Sequence, residues 1–228
     1  MNKLGFAGAA ALATAFCFSS ASAHATGSVA DAAEALVTAG TNTGNGGSFV
    51  TKAVKDAFGL TDAAFKYYWT YSTLSAERWY TAVTTGDYFT EVSNIADVGA
   101  DQILAINTVK DANGNVTYAG HAVVIIGDPI DITPPTGFYT PYITGTKQWA
   151  LPIADSTGSE HGNNTAYPDS RRVSGVFTAN IPGTAYMRLY TDEVTGEILS
   201  YGWSVTATNE ANVFDQSERP FAIGEITF

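Results

Sequence analysis

Gly120-His121-Ala122-Val123-Val124-Ile125-Ile126-Gly127 carries the strongest structural signal in this chain. One polar ring opens a run of five apolar residues, and a glycine closes each end. β-Branched side chains suit a pleated surface, so a short apolar run punctuated by glycine predicts a buried central strand. A histidine at the mouth of such a strand is what a rigid scaffold presents to a cleft. Ile103-Leu104-Ala105-Ile106 precedes it as a second apolar run. Leu151-Pro152-Ile153-Ala154-Asp155-Ser156 follows it as a third and ends in a carboxylate.

Upstream of this nucleus the pattern is helical. Apolar residues recur at Val29, Ala33, Leu36 and Val37 behind a Ser28/Asp31 capping pair, and Gly40 stops the run. After the polar loop 41–47, Phe49, Val50, Ala53, Val54, Ala57 and Phe58 form one apolar face. That spacing predicts a core helix beginning near Ser48 and ending at Gly59. Residues 61–84 predict one or two further helices, rich in aromatics. After Gly99 the patterning changes to strands. Residues 101–109 pair with 116–126 across a polar turn at 111–115, whose alternating Asp111, Asn113 and Asn115 suit a hairpin better than a calcium loop. A proline- and glycine-rich excursion spans 127–148, a strand 150–155 and a polar loop 156–174. A hairpin then runs from Tyr186–Tyr190 to Ile198–Val205, and a last strand covers Phe221–Phe228. The expected fold class is therefore α+β: N-terminal helices from residues 28–84 packed on an antiparallel sheet built from residues 101–228.

Residues 1–23 read as a secretory signal peptide: Lys3, an apolar stretch from Gly5 to Phe18, and the small-residue site Ala21-Ser22-Ala23. The single cysteine, Cys17, lies inside it, so residues 24–228 are expected to form one domain with no disulfide and no thiol. Without Lys3 the 11 basic residues become 10 against 22 acidic, a net charge of about −12. Such a surface argues against nucleic acid and anionic lipid as partners, and for a secreted or periplasmic location without stable membrane insertion.

In order along the chain, four stretches resemble a known family. They are Ser48-Phe49-Val50 at a helix start, Asp101-Gln102-Ile103-Leu104-Ala105-Ile106, Gly120-His121-Ala122-Val123-Val124-Ile125-Ile126, and Asp155-Ser156-Thr157 followed by His161-Gly162. Together they resemble the papain-like cell-wall hydrolases, the NlpC and CHAP type of cysteine peptidase or amidase, best over residues 42–165. The ending Arg219-Pro220-Phe221-Ala222-Ile223-Gly224 is similar to secreted members. The resemblance implies a papain-like fold, with a nucleophile at the head of the core helix, a basic histidine at His121 and a polar residue at Asp155. It also marks a departure, because the cysteine's place is taken by Gly46 or, with a shift of one, Gly47.

Each candidate residue has a functional and a plainer reading. His121 is a general base oriented by Asp155, or a survivor of a lost site. Asp155 otherwise caps the turn at Ser156-Thr157. Ser48 is a substitute nucleophile, or a helix N-cap. His161 binds substrate or metal, or is a solvated loop residue; the three histidines show no metal-ligand spacing. Trp149, Tyr139 and Tyr142, with Phe138, form a stacking surface or close the core. No metal and no cofactor are expected. The leading expectation is a catalytically inactive domain that binds a cell-wall peptide or glycan in the former cleft. A Ser48-His121-Asp155 hydrolase is the first alternative, and an outer-membrane barrel, suggested by the alternating strand ending in Phe228, is the second. If the cleft has kept its catalytic arrangement, Gly46→Cys is expected to regain thiol reactivity.

Overall fold

Helices form where the apolar residues recur at helical spacing: α1 (Val29–Thr38), α2 (Gly46–Phe58), α3 (Asp62–Trp69) and α4 (Ala76–Thr85). The computed structural model describes residues 27–133 and 143–228. The expected leader at 1–23, and Phe138, Tyr139 and Tyr142, lie outside the described residues. The oxygens of Ser28, Asn45, Thr61 and Ser75 cap the four helices by accepting a backbone N–H three residues on. Helix α2 thus starts before Ser48, and Ser48 is not its cap. Asn45 Oδ1 accepts from Ser48 N instead. Gly46 and Gly47, poor helix formers, conceal that first turn in the sequence. Helix α1 is pinned to the remainder of the fold by Asp101, whose Oδ1 accepts from Ser28 Oγ at 2.6 Å and Ala30 N at 2.8 Å.

The strands are β1 (Phe89–Val92), β2 (Ile103–Ile106), β3 (Val109–Lys110), β4 (Val116–Tyr118), β5 (His121–Ile125), β6 (Ile130–Asp131) and β7 (Thr146–Thr157). They continue with β8 (Arg172–Val173), β9 (Val176–Phe177), β10 (Ile181–Asp192), β11 (Ile198–Gly202), β12 (Val213–Asp215) and β13 (Phe221–Ile226). Nine of them make an antiparallel sheet in the order β1-β13-β2-β5-β7-β10-β11-β12, with β6 added to β7. The 120–127 segment is central, as its apolar run requires: β5 lies between β2 (Ile106↔His121) and β7 (Ile125↔Ile153). β3 and β4 pair separately, and Asp111 closes their turn by accepting from Asn113 N and Asn115 N. The fold is thus α+β, with helices first and an antiparallel sheet after them.

Alternation along β5 sorts its side chains between two cores. Ala122 and Val124 face Phe49, Val50, Val54 and Trp79 of the helices. Val123 and Ile125 join Leu104, Ile106, Leu151, Ile153, Leu189 and Tyr201 on the other face. His121 and Asp155 continue the 123/125 and 151/153 parities, so both point to the second side. Two strands exceed their expected length. β7 extends to Thr146, and β10 begins at Ile181, where Pro182 and Gly183 disguise it as a loop. The strand path runs from β1 to β12 and curls, because the chain just past β1 pairs with the turn before β11: Asn94 bridges Glu197, and Ile198 N donates to Ser93 O. Among the described residues, no helix is long and apolar enough to cross a membrane.

Candidate functional site

The site forms where β5, β7 and the head of α2 meet. Gly120 (φ +77°) turns the chain into β5 and places His121 at its mouth. Asp155 stands near the end of β7, opposite Gly183 of β10. His121 Nε2 lies 2.6 Å from Asp155 Oδ2. The expected pair is thus brought together on neighbouring strands.

Two further residues complete the cluster. His161 Nε2 reaches the same Asp155 Oδ2 at 3.0 Å, and Arg171 Nη1 donates to Asp155 Oδ1 at 2.7 Å. Arg171 forks its Nε and Nη2 onto Asp169 at 2.7 and 3.0 Å. Asp169 in turn accepts the backbone N–H groups of His161 and Arg171, so one carboxylate folds the irregular loop around itself. Asp155, His161 and Arg171 have fully buried side chains, and His121 is about a tenth exposed. The solvated-loop reading of His161 is therefore corrected: its ring is interior. It stacks on Trp203 at 4.2 Å between centroids, and its Nδ1 meets Trp203 O at 2.7 Å.

Proton positions follow from the acceptors. Burial pushes the Asp155 carboxyl up, but the charge of His161, the hydrogen bonds from His121 and His161 and the charge of Arg171 outweigh it. The net effect holds Asp155 well below the usual carboxylate range. An ionised Asp155 accepts from both Nε2 atoms, and Trp203 O accepts at Nδ1 of His161. Both ring nitrogens of His161 thus face acceptors, whereas His121 meets one only at Nε2. Arg171 is likewise kept cationic: burial opposes its charge, and Asp155 and Asp169 more than compensate. The Asp155 and Asp169 carboxylates thus share one buried guanidinium.

The same atoms bear on metal binding. His121, Asp155 and His161 each bring one ligand atom within 4.8 Å of the others, a donor set of the kind zinc accepts. Both Nε2–H groups are spent on Asp155 Oδ2 and Arg171 holds Oδ1, so a cation would have to displace protons and face a neighbouring guanidinium.

Gly46 meets this cluster directly. A Cβ built on it would lie 2.5 Å from His121 Cε1, 2.8 Å from His121 Nδ1 and 2.5 Å from Ala122 O. A Cβ on Gly47 would lie 2.7 Å from Leu74 O. Between the two glycines, Gly46 is the one against the imidazole. The head of α2 approaches β5 more closely than any residue with a side chain allows, and Ser156 Oγ, donating to Gly44 O, ties the preceding loop to β7.

Ser48 is not part of this arrangement. It lies two residues beyond Gly46, about 200° round the helix, and lines a separate groove with Thr41, Asn42, Lys52 and Lys55. Trp149 is also elsewhere: it packs against the second core and its Nε1 donates to Thr191 Oγ1, the core-closing role. Tyr139 and Tyr142 lie outside the described residues.

A groove of about 520 Å³ opens beside His121. Trp203, Phe214 and Tyr118 supply its aromatic walls, and Glu160, Arg219, Ser204 and Thr206 its polar groups. Asp169, Arg171 and Trp203 were not singled out by sequence reasoning. The available signal was an acid and a base two residues apart in a loop of a chain with only 14% charged residues.

Gly183 gives room to this network. A Cβ there would lie 2.6 Å from Arg171 Cγ and 2.8 Å from its Nε. Gly183→Ala is expected to lower stability by about 1–3 kcal/mol, the usual cost of overpacking. Chemical denaturation reads this as a lower midpoint at unchanged slope; an unchanged midpoint would show that Arg171 is free to move.

No family model, no curated protein and no solved structure matches this chain, and its site is characterised by its geometry alone.

Proposed function

We propose that this chain is a secreted or periplasmic papain-like domain of the NlpC/CHAP type that has lost its nucleophile and binds a cell-wall peptide or glycan in the groove beside His121. One observation carries the reading: the head of α2 presents Gly46, with His121 and Ala122 O filling the space where a nucleophile's Cβ would stand. His121 and Asp155 stand 2.6 Å apart, and the head of α2 offers them no side chain. Losing one member of a nucleophile–base pair typically costs several orders of magnitude in rate, because the members act as a unit. The groove does not depend on the thiol. Its walls are sheet residues and aromatics, which suit ring stacking and peptide contact.

The test is a pair of measurements on purified protein and insoluble cell walls. Co-sedimentation with the walls is expected, without release of soluble fragments. Trp203→Ala, which removes an aromatic wall, should weaken the co-sedimentation. Fragment release abolished by Ser48→Ala would overturn the reading in favour of a serine hydrolase. Failure to co-sediment would remove the binding function.

A further inference from the structure

The groove contains a guanidinium, beside the Tyr201 hydroxyl, that no carboxylate of the described residues pairs. Arg219 is held between two rings, its Cζ 3.6 Å from the Phe214 centroid and 4.2 Å from that of Tyr118. The other charged groups of the groove are accounted for. Glu160 is paired with Arg172 Nε at 2.9 Å, and His121 with Asp155. Arg219 makes no ion pair among the described residues, although the chain carries 22 acidic residues against 11 basic ones. Nor does a phenolate neutralise it: burial pushes the Tyr118 hydroxyl up to about 12 and raises that of Tyr201 too. A rigid planar fork, clamped by two aromatic faces in a protein of opposite net charge, is suited to bidentate capture of a carboxylate.

We infer that Arg219 reads a carboxylate on the groove's ligand and that the ligand is an acidic peptide; this rests on the groove being a ligand site. A peptide fits better than a neutral glycan for a second reason. β12 lies at the end of the sheet path, and Phe214 within it and Asn212 just before it line the groove. An extended peptide can add to such an edge while its carboxylate meets the guanidinium.

The probe is a pool of peptide-bearing fragments cut from cell walls by a muramidase, used as released and after chemical amidation of its carboxylates. Calorimetry with the full chain is expected to show the native pool binding about ten- to a hundredfold more tightly than the amidated pool. Arg219→Gln should lose the same factor for the native pool and little for the amidated one, and Arg219→Lys should fall between. Equal affinity of the wild type for both pools overturns the carboxylate reading and leaves the groove as a ligand site. Binding of neither pool overturns both. Peptide-free acidic glycan competing as well as the peptide pool also overturns the inference. If Arg219→Gln does not fold, the two pools on the wild type decide the question.

Discussion

Asp155→Asn is expected to destabilise this protein by about 3–5 kcal/mol, a large fraction of the ~5–15 kcal/mol typical of a folded domain. The carboxylate accepts from His121, His161 and Arg171 within 3.0 Å and is wholly inaccessible. An amide keeps the shape but turns one oxygen into a donor, which must then face an N–H, and it strips the anion from the buried Arg171 guanidinium. Removing one partner costs more than the pair contributes, because the remaining charges stay desolvated. The pH dependence has a definite sign. A carboxyl whose folded value is depressed contributes fully above its unfolded value of about 3.9 and loses that contribution as pH falls below it. Denaturation of both proteins at neutral pH and below about pH 4 should therefore show the difference between them shrinking in acid. A constant difference, or an Asp155→Asn protein as stable as the wild type at neutral pH, would show that the network contributes nothing through its charge. Removing the exposed Lys110–Glu77 pair, a solvated surface bridge, should leave the midpoint in place.

The residues that make this network show what a sequence can reveal. β5 was legible because five consecutive apolar residues between glycines have few uses other than a central strand, and His121 was legible as its polar exception. Asp155 was legible as the carboxylate that ends the third apolar run and through the resemblance at Asp155-Ser156-Thr157. His161, Asp169 and Arg171 lie in irregular chain, where no periodicity says which way a side chain points. Their inward turn is set by Asp169 accepting backbone N–H groups, a tertiary fact with no local pattern. Trp203 follows a strand some 80 residues beyond His121, and only the sheet's order brings it to the imidazole, 5.0 Å away. Ser48 misled for a local reason. Asn45 is an equally good cap, and two glycines made the helix seem to start late.

The glycines at the head of α2 decide whether the cleft can carry a thiol. From sequence alone, Gly46→Cys is an invitation to restore a thiol beside a waiting base. The structure reverses that expectation. The new Cβ would meet a backbone carbonyl and the imidazole at 2.5 Å, and neither can yield in the way a flexible side-chain tip does. Accommodation requires α2 to move away from β5, where Ala53, Val54, Ala122 and Val124 share one core. Gly46→Cys and Gly46→Ala are both expected to cost about 1–3 kcal/mol, the range for overpacking, with the shared Cβ accounting for most of it. The thiol of Gly46→Cys should give no cell-wall hydrolysis, since the displacement that admits it also disturbs the His121–Asp155 alignment on which a nucleophile–base pair depends. Thermal melts and fragment release from cell walls, with Ser48→Cys as a control in the neighbouring groove, make the comparison. A Gly46→Cys protein as stable as the wild type, hydrolytic, and rapidly alkylated at neutral pH would show that the nucleophile position is still open. The close approach of α2 to β5 argues that it is closed: the helix head packs directly on the strand, and Gly46 is part of that packing.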